Sequence, residues 1–365
     1  MIRVAICTPY LDLGDAVSND VIGMYQALIE NGFEAAVFAQ NGLIPYPHVH
    51  QPEALKDFIK SPHDILIYHH SVGWDSGIHL LRSLKCCKVV KYHNITPPEF
   101  FEGIANNYFI ACRFGRAQLK DIVKAKADLY LTDSTFNLNE LLAQGYPLGK
   151  CGILPPFHHI NRLVLLEADA SVVSRFNDGK TNLLVVGRLS PNKGHLALID
   201  TFSIYHLTYN QESRLIIVGK EDPGLVSYKR SLQMRIRELD LENSIFFAGH
   251  VQDKTLKAYY LVAHVFIITS LHEGFCVPLV EAMSMKIPIV AYGSTAIPET
   301  VGKVGFVWKE CDPELMAASV DRIVQDEFLR SSLVEMGWNR YQSMFTNSKI
   351  KERLFESLRM ANLID

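Results

Sequence analysis

Two glutamates stand eight residues apart in the stretch SLHEGFCVPLVEAM, which follows the apolar run HVFIITS. Pro278 suits the first turn of a helix, so we expect Glu273 in a loop after a buried strand and Glu281 in the first turn of the next helix. The backbone amides between them would form a helix N-terminus, which can bind phosphate. This pattern favours a ligand with a phosphate between two hydroxyl-bearing groups; the alternative is two solvated glutamates near a helix start.

A second strand end, VVGRLSPNKGH, carries two cations in a loop rich in turn-forming residues. Arg188 and Lys193 are five residues apart and follow an apolar run directly. Cationic side chains at such a position can clamp a diphosphate through charge-assisted hydrogen bonds. The alternative is an exposed polar turn.

The elements that must position these residues recur along both halves of the chain. Short β-branched runs end in loops, and they are continuous rather than alternating, which is typical of strands buried on both faces. The runs are IRVAIC, AAVFA, ILIYHH, KVVKYHN and LYLTDS, then NLLVVGR, RLIIVGK, IFFAGH, VFIITS, PIVAYG and GFVW. Helical patterns separate them, such as DVIGMYQALIENG, which ends at Gly32. The alternation predicts an α/β protein with two tandem doubly wound parallel-sheet domains, Rossmann-like, facing across a cleft.

A chain of 365 residues is too long for one core, and the prolines of ILPPFHHINRL mark a boundary. We predict a first domain over 1–163 and a second domain over 164–345, whose first helix runs from Val164 to Phe176. The C-terminal helix, about 346–365, is expected to pack back on the first domain.

Composition narrows the classes of function. The net charge of −3 gives no argument for nucleic acid, and the seven cysteines have neither disulfide-framework nor zinc-site spacing. No signal peptide is visible, and the longest apolar stretch, YYLVAHVFIITSL, is too short to span a bilayer. We expect a cytoplasmic protein with reduced thiols.

Four elements of the second half occur together and in order: the Arg-x4-Lys loop, FAGHVQDKTLKAYYLVA, the Glu-x7-Glu stretch and GSTAIPETVG. As a set they resemble the donor half of the family 4 retaining glycosyltransferases with the GT-B fold. The resemblance is strong from Asn182 to Gly305 and weak in the first half. It implies transfer of a hexose from a nucleoside diphosphate sugar to an acceptor, with retention of configuration.

The resemblance implies roles for the matching residues. Arg188 and Lys193 would bind the diphosphate, Glu281 the ribose hydroxyls, and Glu273 the donor sugar. The two acids would then contact opposite parts of one donor molecule, although a covalent nucleophile at Glu273 is a less favoured alternative. The remaining donor contacts that we predict are Gly14, His250, Val251, Gly274, Phe275, Cys276 and Leu279.

In the first half, KVVKYHNITPPEFFE ends a strand at His93, where family members often have a histidine near the sugar and the attacking hydroxyl. A satisfied loop or core side chain is the alternative. The loop TPYLDLGDAVSND would approach the phosphates, with Gly14 followed by Asp15 where the family often has two glycines. IYHHSVGWDSG adds three candidate acceptor contacts, for which a structural role is the alternative: His69, His70 and Trp74.

The resemblance also bears on metals and membranes. No Asp-x-Asp occurs, so we expect no protein-bound metal and no cofactor, with Arg188 and Lys193 neutralising the diphosphate instead. Four cations recur at helical spacing in RFGRAQLKDIVKAKAD: Arg113, Arg116, Lys120 and Lys124. A peripheral contact with an anionic inner-membrane surface is one interpretation, and a solvated face interrupted by acids is the other.

The leading prediction is a retaining hexosyltransferase, with electrostatic stabilisation of the leaving diphosphate as its main catalytic term. Because HEGFCVP and HNITP resemble bacterial surface-polysaccharide transferases, we expect mannosyl transfer from GDP-mannose, or otherwise transfer from a UDP-sugar, to a glycan or lipid-linked acceptor. Three alternatives stay open. They are a non-catalytic GT-B partner subunit, a nicotinamide oxidoreductase, for which G-x-G-x-x-G is lacking after the first strand, and a sugar epimerase.

Overall fold

The computed structural model describes residues 2–12, 14–42, 44 and 46–365. It contains two compact units. The first unit comprises Met1–Glu99, Asn107–His159 and Phe345–Asp365, and the second comprises Phe100–Asn106 and Ile160–Met344.

Each unit is built on one parallel sheet. The strands of the first sheet are β1 (Arg3–Leu11), β2 (Glu34–Gly42), β3 (Val49–His50), β4 (Ile65–His70), β5 (Cys87–Tyr92), β6 (Leu129–Thr132) and β7 (Cys151–Ile153). Those of the second are β8 (Thr181–Val186), β9 (Ser213–Val218), β10 (Ile245–Gly249), β11 (Val265–Ile268), β12 (Ile289–Tyr292) and β13 (Gly305–Trp308).

Helices connect successive strands in both units. The α-helices are α1 (Ala16–Glu30), α2 (Leu55–Phe58), α3 (Asp75–Ser83), α4 (Asn106–Ala117), α5 (Leu119–Lys124), α6 (Thr135–Ala143), α7 (Ile160–Leu165), α8 (Ala170–Phe176), α9 (His195–Ile204), α10 (Val226–Glu238), α11 (Asp253–Val262), α12 (Val277–Ser284), α13 (Ile297–Val301), α14 (Pro313–Gln325), α15 (Glu327–Arg340) and α16 (Asn347–Met360). Shorter helical turns cover Pro52–Ala54, Pro98–Phe101, Leu148–Lys150, Pro191–Lys193, Tyr205–Tyr209, Pro223–Leu225 and Tyr341–Phe345.

The strand orders confirm the predicted pair of doubly wound sheets. They are β3-β2-β1-β4-β5-β6-β7 in the first unit and β10-β9-β8-β11-β12-β13 in the second. In both sheets the order reverses beside the first strand, between β1 and β4 and between β8 and β11. Such a reversal opens a crevice at the carboxyl ends of the strands, where α/β sheets bind ligands.

All eleven runs identified in the sequence form strands, but two strands were not predicted. β3 has two residues and β7 has three, which is too short for a hydrophobic period to be visible. The predicted single helix from Val164 to Phe176 is also wrong, because the chain there forms α7 and α8. Asp169 caps the second of these helices by accepting a hydrogen bond from the Ser171 amide.

The C-terminal helix α16 contributes to the core of the first unit. Its residues Ile350, Leu354 and Leu358 are buried in one cluster with apolar side chains of β1, β4 and α1. Across the described ranges, no helix combines the length and the apolar character needed to cross a bilayer.

We expect Leu354→Ala to destabilise the first unit by about 2–5 kcal/mol, because it removes a fully buried side chain and leaves a cavity. Met360→Ala on the same helix is the matched control, since Met360 is 78% exposed. Urea unfolding of the two variants measures the difference. Similar losses for both would contradict a core role for this helix.

Candidate active site

The two charged motifs of the second half meet at the strand-order reversal of the second sheet. β8 and β11 are parallel neighbours, with Val265 opposite Leu183 and Phe266 opposite Leu184. The chain leaves β8 toward Arg188 and leaves β11 toward Glu273 at the same edge of the sheet. Tertiary structure thus brings together loops that are about eighty residues apart in sequence.

Lys193 and Glu273 form a direct ion pair. The Lys193 Nζ donates to Glu273 Oε1 over 2.7 Å, and the two side chains are 23% and 8% exposed. Sequence analysis assigned the lysine to the diphosphate and the glutamate to the sugar, so the contact between them was not foreseen. A carboxylate this buried needs a partner, and the lysine provides it.

The two loops are also joined by hydrogen bonds to their backbone carbonyls. The Asn192 carbonyl accepts from the Leu271 amide over 2.8 Å, and Asn192 Nδ2 donates to the His272 carbonyl over 3.2 Å. Thr269 Oγ1 donates to the Gly194 carbonyl over 2.9 Å. Gly194 has a φ of +66°, and a Cβ there would collide with the Thr269 carbonyl. These contacts hold Lys193 and Glu273 in register.

Two threonines of the motif GSTAIPETVG form hydrogen bonds with the loop of Glu273. Thr295 Oγ1 accepts from the Glu273 amide over 2.8 Å and donates to the Glu273 carbonyl over 2.9 Å. Thr300 Oγ1 donates to the Phe275 carbonyl over 2.7 Å. Each threonine therefore fixes a carbonyl of the Glu273 loop.

Helix α12 begins as predicted after a tight turn, with Pro278 in its first turn. Cys276 precedes it at a φ of +75°, a conformation that costs free energy for a residue with a side chain. Burial raises the pKa of the Cys276 thiol well above its ordinary value, which disfavours its thiolate form. The Leu279 side chain is fully buried, and its amide donates to the Cys276 carbonyl over 3.1 Å; its contact with the donor stays a prediction.

Glu281 lies in the second turn of α12 and not in the first, as the sequence had suggested. Its side chain is almost fully buried, and the Tyr260 hydroxyl on α11 donates to Oε2 over 2.6 Å. Burial raises the pKa of Tyr260 well above its ordinary value, and the neighbouring carboxylate adds to this. Tyr260 is a positioning residue that sequence reasoning missed, although it lies inside the quoted motif KAYYLVA.

The other predicted donor contacts lie along the same edge of the sheet. Arg188 follows β8 and is exposed. Gly219 follows β9, and a Cβ there would collide with the Gly187 carbonyl, so the two strand ends approach closely. His250 and Val251 follow β10, which β9 separates from β8. Gly274 is half-buried beside Glu273.

In the first unit, His93 belongs to a buried polar cluster. Its Nε2 lies 2.8 Å from His69 Nδ1, and its Nδ1 lies 3.4 Å from Asp133 Oδ2. Lys91 Nζ pairs with Asp133 Oδ1 over 2.5 Å and also donates to a backbone carbonyl. Asp20 Oδ2 lies 3.6 Å from His93 Nε2. Both ring nitrogens of His93 are therefore engaged, and the predicted sugar contact would require one of them to change partner.

The pKa values of this cluster follow from burial and from its own charges. Burial lowers the pKa of His69 well below its ordinary value, so the ring is neutral. Burial raises the pKa of Asp20, although Lys91 and His93 oppose the shift. Burial alone would also raise the pKa of Asp133, but the Lys91 ammonium and His93 hold it below its ordinary value.

The three candidate acceptor contacts are all buried. His69 belongs to the cluster of His93, and His70 Nε2 lies 3.0 Å from the Gly115 carbonyl. The Trp74 amide donates to Gln118 Oε1 over 2.7 Å, and the indole stacks on Tyr68. These contacts favour the structural alternative.

Gly14 and the four cations at helical spacing lie in the first unit. Gly14 is exposed at a φ of +79°, and the following Asp15 caps α1 by accepting from the Ser18 amide over 3.0 Å. Two of the four cations already have partners in the first unit. Arg116 binds Glu140 over 2.8 Å, and Lys124 binds Asp121 over 3.2 Å. Arg113 and Lys120 are exposed, and membrane contact stays a prediction.

The chain is similar to known proteins in sequence and in fold. The family model for glycosyl transferases group 1 matches residues 168–340. Mannosylfructose-phosphate synthase of Agrobacterium fabrum is 27% identical over 334 residues, which cover 85% of this chain and 72% of that protein. O-antigen chain mannosyltransferase B of Escherichia coli is 27% identical over 42% of this chain and 39% of its own length.

Solved structures extend the likeness to the whole chain. HepE of Anabaena, solved in complex with UDP, superposes with a TM-score of 0.77 at 18% identity, covering 98% of this chain and all of that one. The chain has the GT-B fold, and its residues 168–340 are similar to glycosyl transferases group 1.

Proposed function

We propose that the protein transfers a hexosyl group from a nucleoside diphosphate sugar to an acceptor, with retention of configuration. The observation that carries this proposal is the Lys193–Glu273 pair at the reversal of the second sheet, with Glu281 buried in the second turn of the helix that follows. A cation and two buried acids suit a ligand with a diphosphate flanked by two polyhydroxyl groups.

The pair suggests how the site responds to its donor. A diphosphate beside Lys193 would compete with Glu273 for the ammonium, because both are anions that accept from the same Nζ. Glu273 would then be released toward the hydroxyls of the sugar, while Arg188 and Lys193 bind the phosphates. The positive charge of these side chains beside the leaving diphosphate is the term that lowers the barrier for cleavage of the glycosidic bond.

Glu281 would hold the ribose in this arrangement. Its Oε2 is fixed by Tyr260, so the carboxylate cannot turn away when the nucleotide binds. A carboxylate with one fixed oxygen suits hydroxyl donors, and pre-positioning of this kind lowers the entropic cost of binding. No divalent cation is needed in the proposal, because the charge on the diphosphate is met by side chains.

We further propose a mannosyl group as the one transferred, with GDP-mannose as the donor and a glycan or lipid-linked acceptor of polysaccharide biosynthesis. Support comes from relatives named as mannosyltransferases and from a 27% identical amylovoran biosynthesis glycosyltransferase of Erwinia amylovora. A UDP-sugar is the second candidate, since HepE was solved with UDP.

We expect purified protein to transfer or hydrolyse GDP-mannose faster than UDP-glucose, and to do so in excess EDTA without Mg²⁺ or Mn²⁺. Nuclear magnetic resonance of the product reports the sugar released and its anomeric configuration. An inverted product would contradict retention. Activity that EDTA removes and that Mg²⁺ or Mn²⁺ restores would contradict cation-free cleavage, and turnover of neither donor would contradict the proposed function.

We expect Arg188→Ala and Lys193→Ala each to lower kcat/KM by roughly 10- to 150-fold, since each loses a charge-assisted bond worth about 1.5–3 kcal/mol. The two should differ in stability. Lys193→Ala leaves Glu273 without its cation and should lower Tm, whereas exposed Arg188 should not. Lys229→Ala, which breaks an exposed ion pair with Glu221 in the same unit, is the control. Kinetics like those of the control would refute the clamp.

The two glutamates should behave differently when calorimetry measures binding of free GDP and UDP. Glu281→Gln should bind nucleotide roughly tenfold or more weakly, and Tyr260→Phe should lose affinity in the same direction because the carboxylate is no longer fixed. Glu273→Gln should bind free nucleotide equally well or better, since Lys193 becomes available, while turnover falls. Equal losses of nucleotide affinity in both glutamate variants would mean that the acids act as one unit.

A further inference from the structure

We propose that Asp20, His69 and His93 of the first unit bind one divalent transition cation, for which Zn²⁺ is the probe. These residues form a group whose ligand atoms all lie within 4.8 Å of one another. Asp20 lies on α1, His69 near the carboxyl end of β4, and His93 directly after β5. Two imidazoles and one carboxylate are a ligand set that zinc and other late transition metals use in proteins.

The spacing of the three atoms suits a metal. His69 Nδ1 and His93 Nε2 are 2.8 Å apart, and Asp20 Oδ2 lies 3.9 Å from the first and 3.6 Å from the second. The circle through three points with these separations has a radius of about 2.0 Å, which matches Zn–N and Zn–O bond lengths. A cation at its centre would contact all three atoms without movement of the backbone.

Two of the three ligands, His93 and Asp20, have groups behind them that are common in metal sites. His93 directs Nδ1 toward Asp133 Oδ2 over 3.4 Å, and Asp133 is itself paired with Lys91. Asp20 Oδ1 accepts from the Phe157 amide over 2.7 Å, which leaves Oδ2 for the cation. A histidine ligand whose second nitrogen faces a carboxylate, and a carboxylate ligand fixed by a backbone amide, are recurrent in metal centres.

A network of hydrogen bonds alone accounts less well for the cluster. If His93 is neutral and donates from Nδ1 to Asp133, its Nε2 accepts from His69 Nδ1, and neither of these two nitrogens donates to Asp20. Asp20 Oδ2 is buried and has no hydrogen-bond partner in the part of the chain that the structure describes. A divalent cation would give this buried oxygen a partner.

These three residues belong to the first unit, whereas the residues proposed to bind the diphosphate belong to the second. It departs from the expectation that the protein binds no metal, which rested on the absence of Asp-x-Asp. It does not depend on the proposed function, and its test measures metal binding and not turnover.

The experiment uses the full chain with His48→Gln and His50→Gln, because these exposed neighbouring histidines form a competing surface site. We expect this variant to keep one equivalent of Zn²⁺ through dialysis, measured by mass spectrometry of the metal. Asp20→Asn or His69→Gln in the same background should lose that equivalent. Asp133→Asn should weaken binding by about 10- to 100-fold, as is usual for a group behind a ligand.

Loading with Co²⁺ gives a second measurement that needs no substitution of a buried residue. The His48→Gln/His50→Gln protein should give a visible ligand-field spectrum that one equivalent of Zn²⁺ abolishes, and Zn²⁺ should raise its Tm. No spectrum and no bound zinc in this protein would overturn the proposal. Folded Asp20→Asn or His69→Gln protein that retains its zinc would overturn it equally.

Discussion

The ion pair between Lys193 and Glu273 is the interaction on which the candidate site depends. A carboxylate with 8% exposure is costly in free energy unless a cation lies beside it, so the loops after β8 and β11 must stay in contact. That contact exists because the two strands are neighbours at the reversal of the sheet. The charge that stabilises the loop is also the charge proposed to bind the donor, which couples stability to function.

Close backbone approach makes the pairing possible. Gly194 and Gly219 each stand where a Cβ would strike a carbonyl of the neighbouring strand end, so a side chain at either position would push the loops apart. Thr269, Thr295 and Thr300 then fix the carbonyls and amides that the loops leave unpaired. The site is thus built by small residues that permit close contact and by hydroxyls that form hydrogen bonds with the backbone groups of the loops.

The first unit shares the sheet architecture but uses its strand ends differently. His69, His70 and Trp74 are buried and bonded within the unit, and His93 joins a cluster with two carboxyl groups. Polar residues at the end of a strand can serve a substrate or the core, and sequence alone does not distinguish the two. Asp20 on α1 meets His69 of β4 and His93 after β5 only in the folded unit.

The sequence by itself determined the strands of both sheets, the helix start at Pro278 and the charged residues of the second unit, because buried parallel strands and helix caps leave local patterns. It did not reveal β3 and β7, which are too short to carry a period. It also missed the Lys193–Glu273 pair, the bond from Tyr260 to Glu281 and the grouping of Asp20 with His69 and His93. Each of these joins residues on different elements, and only the order of strands and the packing of helices against them decides which side chains meet.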